Sequence, residues 1–231
     1  MNTHPLLGEN LLETILKLQK LVPKSNLFYY WHIMWTMPNA SSEYHGLTHT
    51  TCVAWKCAQA GLYYFDRDEC SLEDVCCLII AAILHDYGHS KKTGSDEKEI
   101  KRALTGLRKC ILPQNKAWLP RIEKLIRATQ FPHVDTPELT ELELAIRDAD
   151  CTQSFEQSWQ ELICYKLAKE LRVSPMDMLL RQEAFLTNVL KIRSQWGKTV
   201  WTKSVIQGRV LHVRLLISIL KKGEAVAKKR K

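Results

Sequence analysis

Four of the eight histidines sit in two short windows, Tyr44-His45-Gly46-Leu47-Thr48-His49 and Ile83-Leu84-His85-Asp86-Tyr87-Gly88-His89. In each window the two histidines are four apart, a spacing that predicts one shared face if the segment is helical. The second window also sets an aspartate beside an imidazole, at the end of the very apolar run Val75–Leu84. Burying that pair is costly unless a positive charge compensates, and a metal cation does so. A third acidic window, Ala145-Ile146-Arg147-Asp148-Ala149-Asp150, lies in another apolar helical stretch. Two histidines and two aspartates form a mixed nitrogen and oxygen set. Such a set suits Zn, Mn or Fe, with carboxylate and water positions open to Mg or Mn. Asp148 and Asp150 compete for the last position, and on a helix they point to different faces. A lone histidine is ordinarily a hydrogen-bonded structural residue. That reading covers His4, His32 and His212, and the His133/Asp135 pair reads as a solvated loop before Pro137.

The elements that must position these residues are helical. Leu11, Leu12, Ile15, Leu18 and Leu21/Val22 recur at helical spacing. Ser71 is an N-cap candidate, with Glu73 and Asp74 in the first turn of a helix ending near His85. Ser95 is the cap candidate of another helix, running to about Cys110. Pro120, Pro137 and Pro175 each suit a first helical turn, the last two after Thr136 and Ser174. Long helices are expected at about 138–155, 156–171, 175–194 and 201–221, and one helix over the aromatic-rich residues 25–37. No alternation is long enough to predict a strand. The expectation is a single compact all-α domain over residues 1–220, followed by a basic tail, 221–231.

With 45% hydrophobic and 25% charged residues, the 231-residue chain is neither disordered nor fibrous. The net charge of +8 suggests an anionic partner, such as nucleic acid, nucleotide or acidic membrane. Residues 221–231 hold six basic residues and one acid, so most of that charge belongs to the tail, the one element expected to reach nucleic acid. None of the eight cysteines forms C-x-x-C, and most fall in apolar helical patterns, which predicts reduced core residues. No secretory leader is expected at the N-terminus, and no apolar run approaches the roughly 18–20 residues of a membrane span. A cytoplasmic location follows as the expectation.

The order His … His-Asp … Asp resembles the HD superfamily of metal-dependent phosphohydrolases. YHGLTHTTCV is similar to the Y-H-x-x-x-H-x-x-x-V signature of class I 3′,5′-cyclic nucleotide phosphodiesterases, and AAILHDYGH to their A-A-x-x-H-D-x-x-H. LIRATQFPH, IRDADCTQSF and VSPMDMLLRQEAFLTNV resemble later segments of that family in the same order, so the likeness runs over about residues 30–195. The resemblance implies an all-α catalytic domain with two divalent ions, Zn, Mn or Fe at the His-Asp site and Mg or Mn at a second. It assigns His49, His85, Asp86 and Asp150 to the first metal, with Asp148 as the fallback for the last ligand. Gly46 departs from the family's usual Asn, and the family's downstream glutamate has no clear counterpart, Glu97 and Glu99 being the candidates.

Phosphodiester hydrolysis needs a nucleophile, charge neutralisation and a proton for the leaving alkoxide. Two metals about 3.5–4 Å apart supply the first two by activating a hydroxide and clamping the phosphate. Asp86, with two oxygens, is placed to bridge to a second, water-rich site. His45 is the candidate general acid for the departing 3′ oxygen. His89 is the candidate to orient the nucleophile or touch the phosphate. Gln182 and Phe185 share a helix face. By resemblance Gln182 hydrogen-bonds a base edge and Phe185 stacks on it. Three other functions share parts of this pattern. A nucleotidase, triphosphohydrolase or alarmone hydrolase needs the same metal set. A di-iron oxygenase on an HD scaffold would enlist His89 and His133. A non-catalytic nucleic-acid binder would use the tail.

Overall fold

The most apolar stretch of the chain becomes the centre of the molecule. Ser71 and Asp74 cap each other's backbone N–H groups and start α4 (Leu72–Leu84), in which every residue from Val75 to Leu84 is buried. A helix apolar all round needs neighbours on every side. α3 (Leu47–Phe65) packs along most of its length, while α2 (Leu27–Thr36) and α6 (Leu119–Ala128) cover further faces. α1 (Leu11–Leu21) seats Leu11, Ile15 and Leu18 in the same core. α5 (Asp96–Cys110) and α7 (Glu141–Cys151) complete this shell. The structure, a computed structural model, describes residues 4–90, 96–134 and 136–229, with side chains as far as Lys222.

Beyond α7 the chain builds a second apolar cluster. A wide-turned helical segment, Gln160–Leu167, runs into the short α8 (Ala168–Glu170). α9 (Pro175–Ala184) follows, continued by a second wide turn at Phe185–Val189, then α10 (Gln195–Val200) and the long α11 (Lys203–Lys229). Trp159, Leu162, Ile163, Met178, Leu179 and Leu186 pack with Val213 and Ile217 of α11, and Tyr44 joins them. The first histidine window is therefore gripped between the two clusters.

The described residues contain eleven α-helices and no strand, so the fold is all-α as expected. Several boundaries differ. Pro137 sits in a turn, because the reciprocal caps of Thr140 and Glu143 start α7 at Glu141. The helix expected over 175–194 stops at Val189, where Leu190 turns extended; the N–H groups of Arg193 and Ser194 bond to the Asp148 carboxylate instead. The helix expected over 156–171 forms mainly as wide turns. Ser95 lies outside the described residues. The backbone of α11 continues through residue 220 to Lys229. No described helix is long and apolar enough to cross a membrane.

Truncating Ile80, fully buried at the centre of α4, leaves a cavity with neighbours on every side. Ile80→Ala is expected to cost about 3 kcal/mol, read as a lowered urea midpoint at unchanged m-value.

Candidate metal centre and its cavity

His49 stands in the first turn of α3, His85 caps the C-terminus of α4, Asp86 follows it, and Asp150 lies in the last turn of α7. Their donor atoms converge. His49 Nε2 is 3.2 Å from His85 Nε2, 3.0 Å from Asp150 Oδ1 and 3.3 Å from Asp86 Oδ2. His85 Nε2 is 3.4 Å from Asp150 Oδ1 and 3.3 Å from Asp86 Oδ2. Ligand atoms sharing one cation at bonds of about 2.1 Å stand roughly 3.0–3.4 Å apart. His85 Nδ1 lies 2.8 Å from the Ala82 carbonyl oxygen. It donates there, which leaves the Nε2 lone pair facing the cluster.

The polar accounting also fits a cation. Both imidazoles are almost wholly buried, and Asp86 Oδ2 finds no hydrogen-bond donor among the described residues. Among the described residues the cluster's ion pairs run only to imidazoles, never to Lys or Arg. Burial opposes charge on Asp86, but His85, His45 and His49 hold its carboxyl well below the usual range. Asp150 is likewise held low against burial by its bonds to His49 and His85. Burial lowers His49, whereas the two carboxylates outweigh burial at His85 and raise it. Two ionised carboxylates in so dry a place call for positive charge, and the residues present suit a divalent ion.

Of the two aspartates on α7, Asp150 is the one that faces the histidines. Asp148 accepts from the Ser194 hydroxyl at 2.6 Å and from the Ser194 N–H at 2.9 Å, tethering the loop before α10. Burial pushes its carboxyl up to about 6, and these hydrogen bonds only partly offset the rise.

The equal spacing of the two windows does not act through a shared helix. α3 begins after His45, and α4 ends before His85, so His45 and His89 lie on flanking turns. Their rings stack on each other at 3.9 Å. Gly46 is required at the α3 N-cap, because a Cβ there would overlap the carbonyl oxygens of Ser42 and Ala40. Gly88 adopts φ +72, which favours glycine.

Two residues absent from the sequence expectations position these turns. Asn39, almost fully buried, donates from Nδ2 to the His45 carbonyl at 2.5 Å and accepts the Gly88 N–H at 2.8 Å, tying one window to the other. Glu170 of α8 places Oε2 2.7 Å from His45 Nδ1, while its Oε1 accepts the Tyr44 N–H at 2.7 Å. Burial would lower the His45 pKa, but the Glu170 bond, with Asp86 and Asp150, carries it above the ordinary value. His89 shifts the other way, lowered by burial and by the charge of His45.

His45, His49, His85, Asp86, His89 and Asp150 line one cavity of about 540 Å³, within the roughly 300–1,000 Å³ of small-molecule sites. Gln182 and Phe185 line it too, together with Ile163, Leu167 and Met178 from the second cluster. Gln182 is buried with Nε2 unpartnered. Gln153 and Ser154 were not foreseen, yet both line the cavity, and all their side-chain polar atoms are buried without a partner among the described residues. Exposed Arg181 also lines it. Of the two candidate glutamates, Glu99 lines the cavity, bonded to Ser90, and Glu97 pairs with Lys101 in solvent. His133 contacts Phe131 and is not among the cavity-lining residues, and Asp135 lies outside the described residues.

Residues 46–154 match the family model of the HD domain. No curated protein and no solved structure matches the chain. The matched segment spans His49, His85, Asp86 and Asp150, and supports a metal-dependent phosphohydrolase of the HD superfamily. It does not extend to His45, Glu170, Gln182 or Phe185, so the cyclic-nucleotide part of the resemblance rests on the sequence motifs alone.

His85→Ala or Asp86→Ala is expected to abolish stoichiometric metal in elemental analysis of purified protein. His45→Ala is expected to retain it. Loss of metal from His45→Ala would overturn the division between ligands and proton donor.

Proposed function

We propose that the protein hydrolyses a phosphoester bond of a nucleotide, foremost a 3′,5′-cyclic nucleotide or a related cyclic messenger. One juxtaposition carries this reading. His45, paired with Glu170, faces the same cavity as the four-residue metal cluster and as Gln182 and Phe185.

His49, His85, Asp86 and Asp150 would hold a Zn, Mn or Fe ion, and Asp86 would share a second ion, Mg or Mn. Bound there, such ions neutralise phosphoryl oxygens and acidify a water. Glu170 fixes the His45 ring by holding its Nδ1 proton, which leaves the Nε2 proton for the departing alkoxide. The bond to Glu170 raises the His45 pKa against the effect of burial, which favours the protonated form that a donor requires. His89, stacked on His45, confines that ring from one side. Gln182 and Gln153 bring unpartnered amide groups that suit the edge of a base, and Phe185 offers an aromatic face. Ile163, Leu167 and Met178 give the cavity an apolar wall suited to the faces of a base.

A linear nucleotide or alarmone is the second reading, supported by Arg181, whose charge suits a longer phosphate chain. The eight unpaired cysteines fit a reducing compartment, and a cytoplasmic location belongs to the same proposal.

A panel of cyclic mono-, di- and oligonucleotides and linear nucleotides, supplied with Mn, Mg or Zn, tests the reading. Turnover of a cyclic substrate to a linear monophosphate is expected. Release of phosphate or pyrophosphate from a linear nucleotide selects the second reading, and a metal-loaded protein that turns over nothing sinks both. Glu170→Gln is expected to lower kcat by about tenfold to a hundredfold with KM and metal content unchanged. A change confined to KM would remove Glu170 from the proton-transfer arrangement.

A further inference from the structure

We propose that the outer face of α11 docks on an anionic lipid surface. The inner face of this helix is fully used, with Val213 and Ile217 buried in the second cluster. The outer face is not. Leu211, Leu215 and Ile219, spaced four apart along one line, are 65%, 59% and 54% exposed. Gly208 continues the line, with open space around it. Three large aliphatic side chains left in water on one helix face mark an interaction surface rather than scattered exposure.

Charge identifies the partner. Residues 203–231 contain nine Lys or Arg and a single acid, Glu224. The preceding 202 residues contain 24 basic and 24 acidic residues, so the whole net charge of +8 resides in this one segment. Arg214 is paired with Glu183, and Arg209 lies over the Trp159 ring. Lys203, Lys221 and Lys222 are exposed, the last two just beyond the aliphatic line.

A second copy of the chain is disfavoured as occupant, since two such helices would bring like charges together. A nucleic acid would use the lysines but give the three aliphatic side chains nothing to bury against, because its outer surface is phosphate. An acidic bilayer surface uses both, taking the aliphatic side chains into its interface and the lysines at its headgroups.

Sedimentation of the full chain with vesicles tests the proposal, comparing pure phosphatidylcholine with phosphatidylcholine containing one-third phosphatidylglycerol. Binding to the mixed vesicles only, weakening as salt is raised, is expected. Leu215→Glu with Ile219→Glu should abolish it. Lys221→Glu with Lys222→Glu should weaken it about tenfold or more. Both variants should keep the helical circular dichroism and bind metal as before, since neither pair touches the metal cluster. Failure to bind the mixed vesicles overturns the proposal. So does equal binding to both vesicle types, or unchanged binding by the Leu215/Ile219 variant. Capture of duplex DNA at a salt concentration where vesicles are ignored assigns the face to nucleic acid instead. A dimer that Leu215→Glu with Ile219→Glu dissolves, without vesicle binding, assigns it to a second copy.

Discussion

Two carboxylates and two imidazoles meet at the end of a helix whose last ten residues are all buried. That confrontation is what the surrounding structure has to hold in place. The apolar length of α4 anchors His85 with little positional freedom, and the Ala82 carbonyl sets its tautomer. α3 must then run alongside to deliver His49, and α7 must cross to deliver Asp150. Without compensating positive charge, two ionised aspartates in such surroundings would be strongly destabilising. A cation held by the cluster would couple its binding to folding. The rigid helices on either side keep its donor atoms 3.0–3.4 Å apart.

The metal side of the site was legible because its residues come as local pairs on apolar backgrounds, patterns that short windows carry. Asp150 was separable from Asp148 only by resemblance, and the fold shows the physical difference: one faces the histidines, the other holds the loop before α10. Glu170 was invisible for the opposite reason. It acts on His45 across 125 residues of chain, and nothing near it in sequence distinguishes it from a surface glutamate. Asn39 likewise works through a turn that exists only once both windows are folded. Gln153 and Ser154 follow Asp150 directly, but their lack of partners becomes evident only when the cavity is closed around them. The helical class was legible from periodicity, whereas boundaries failed where a capping box or a buried carboxylate competed for the backbone, as at Pro137 and after Val189.

The two apolar clusters divide the labour. The first, built around α4, contains the elements of the candidate metal cluster and coincides largely with the matched HD segment. The second supplies the apolar wall of the cavity and carries the α8 region that reaches His45. Tyr44 belongs to the second cluster while its neighbours serve the first, so the first histidine window depends on the packing of both. A cavity formed this way can change its shape through the second cluster while the elements of the candidate metal cluster stay as they are.

Chain order adds a temporal side to this division. All four residues of the candidate metal cluster have been added once residue 150 is in place, whereas Glu170 comes twenty residues later and α11 later still. During synthesis from the N-terminus, the nascent polypeptide gains the complete candidate cluster before His45 gains its partner. An early-bound ion would then act as a folding nucleus, with chemical competence arriving only as the C-terminal third closes over it.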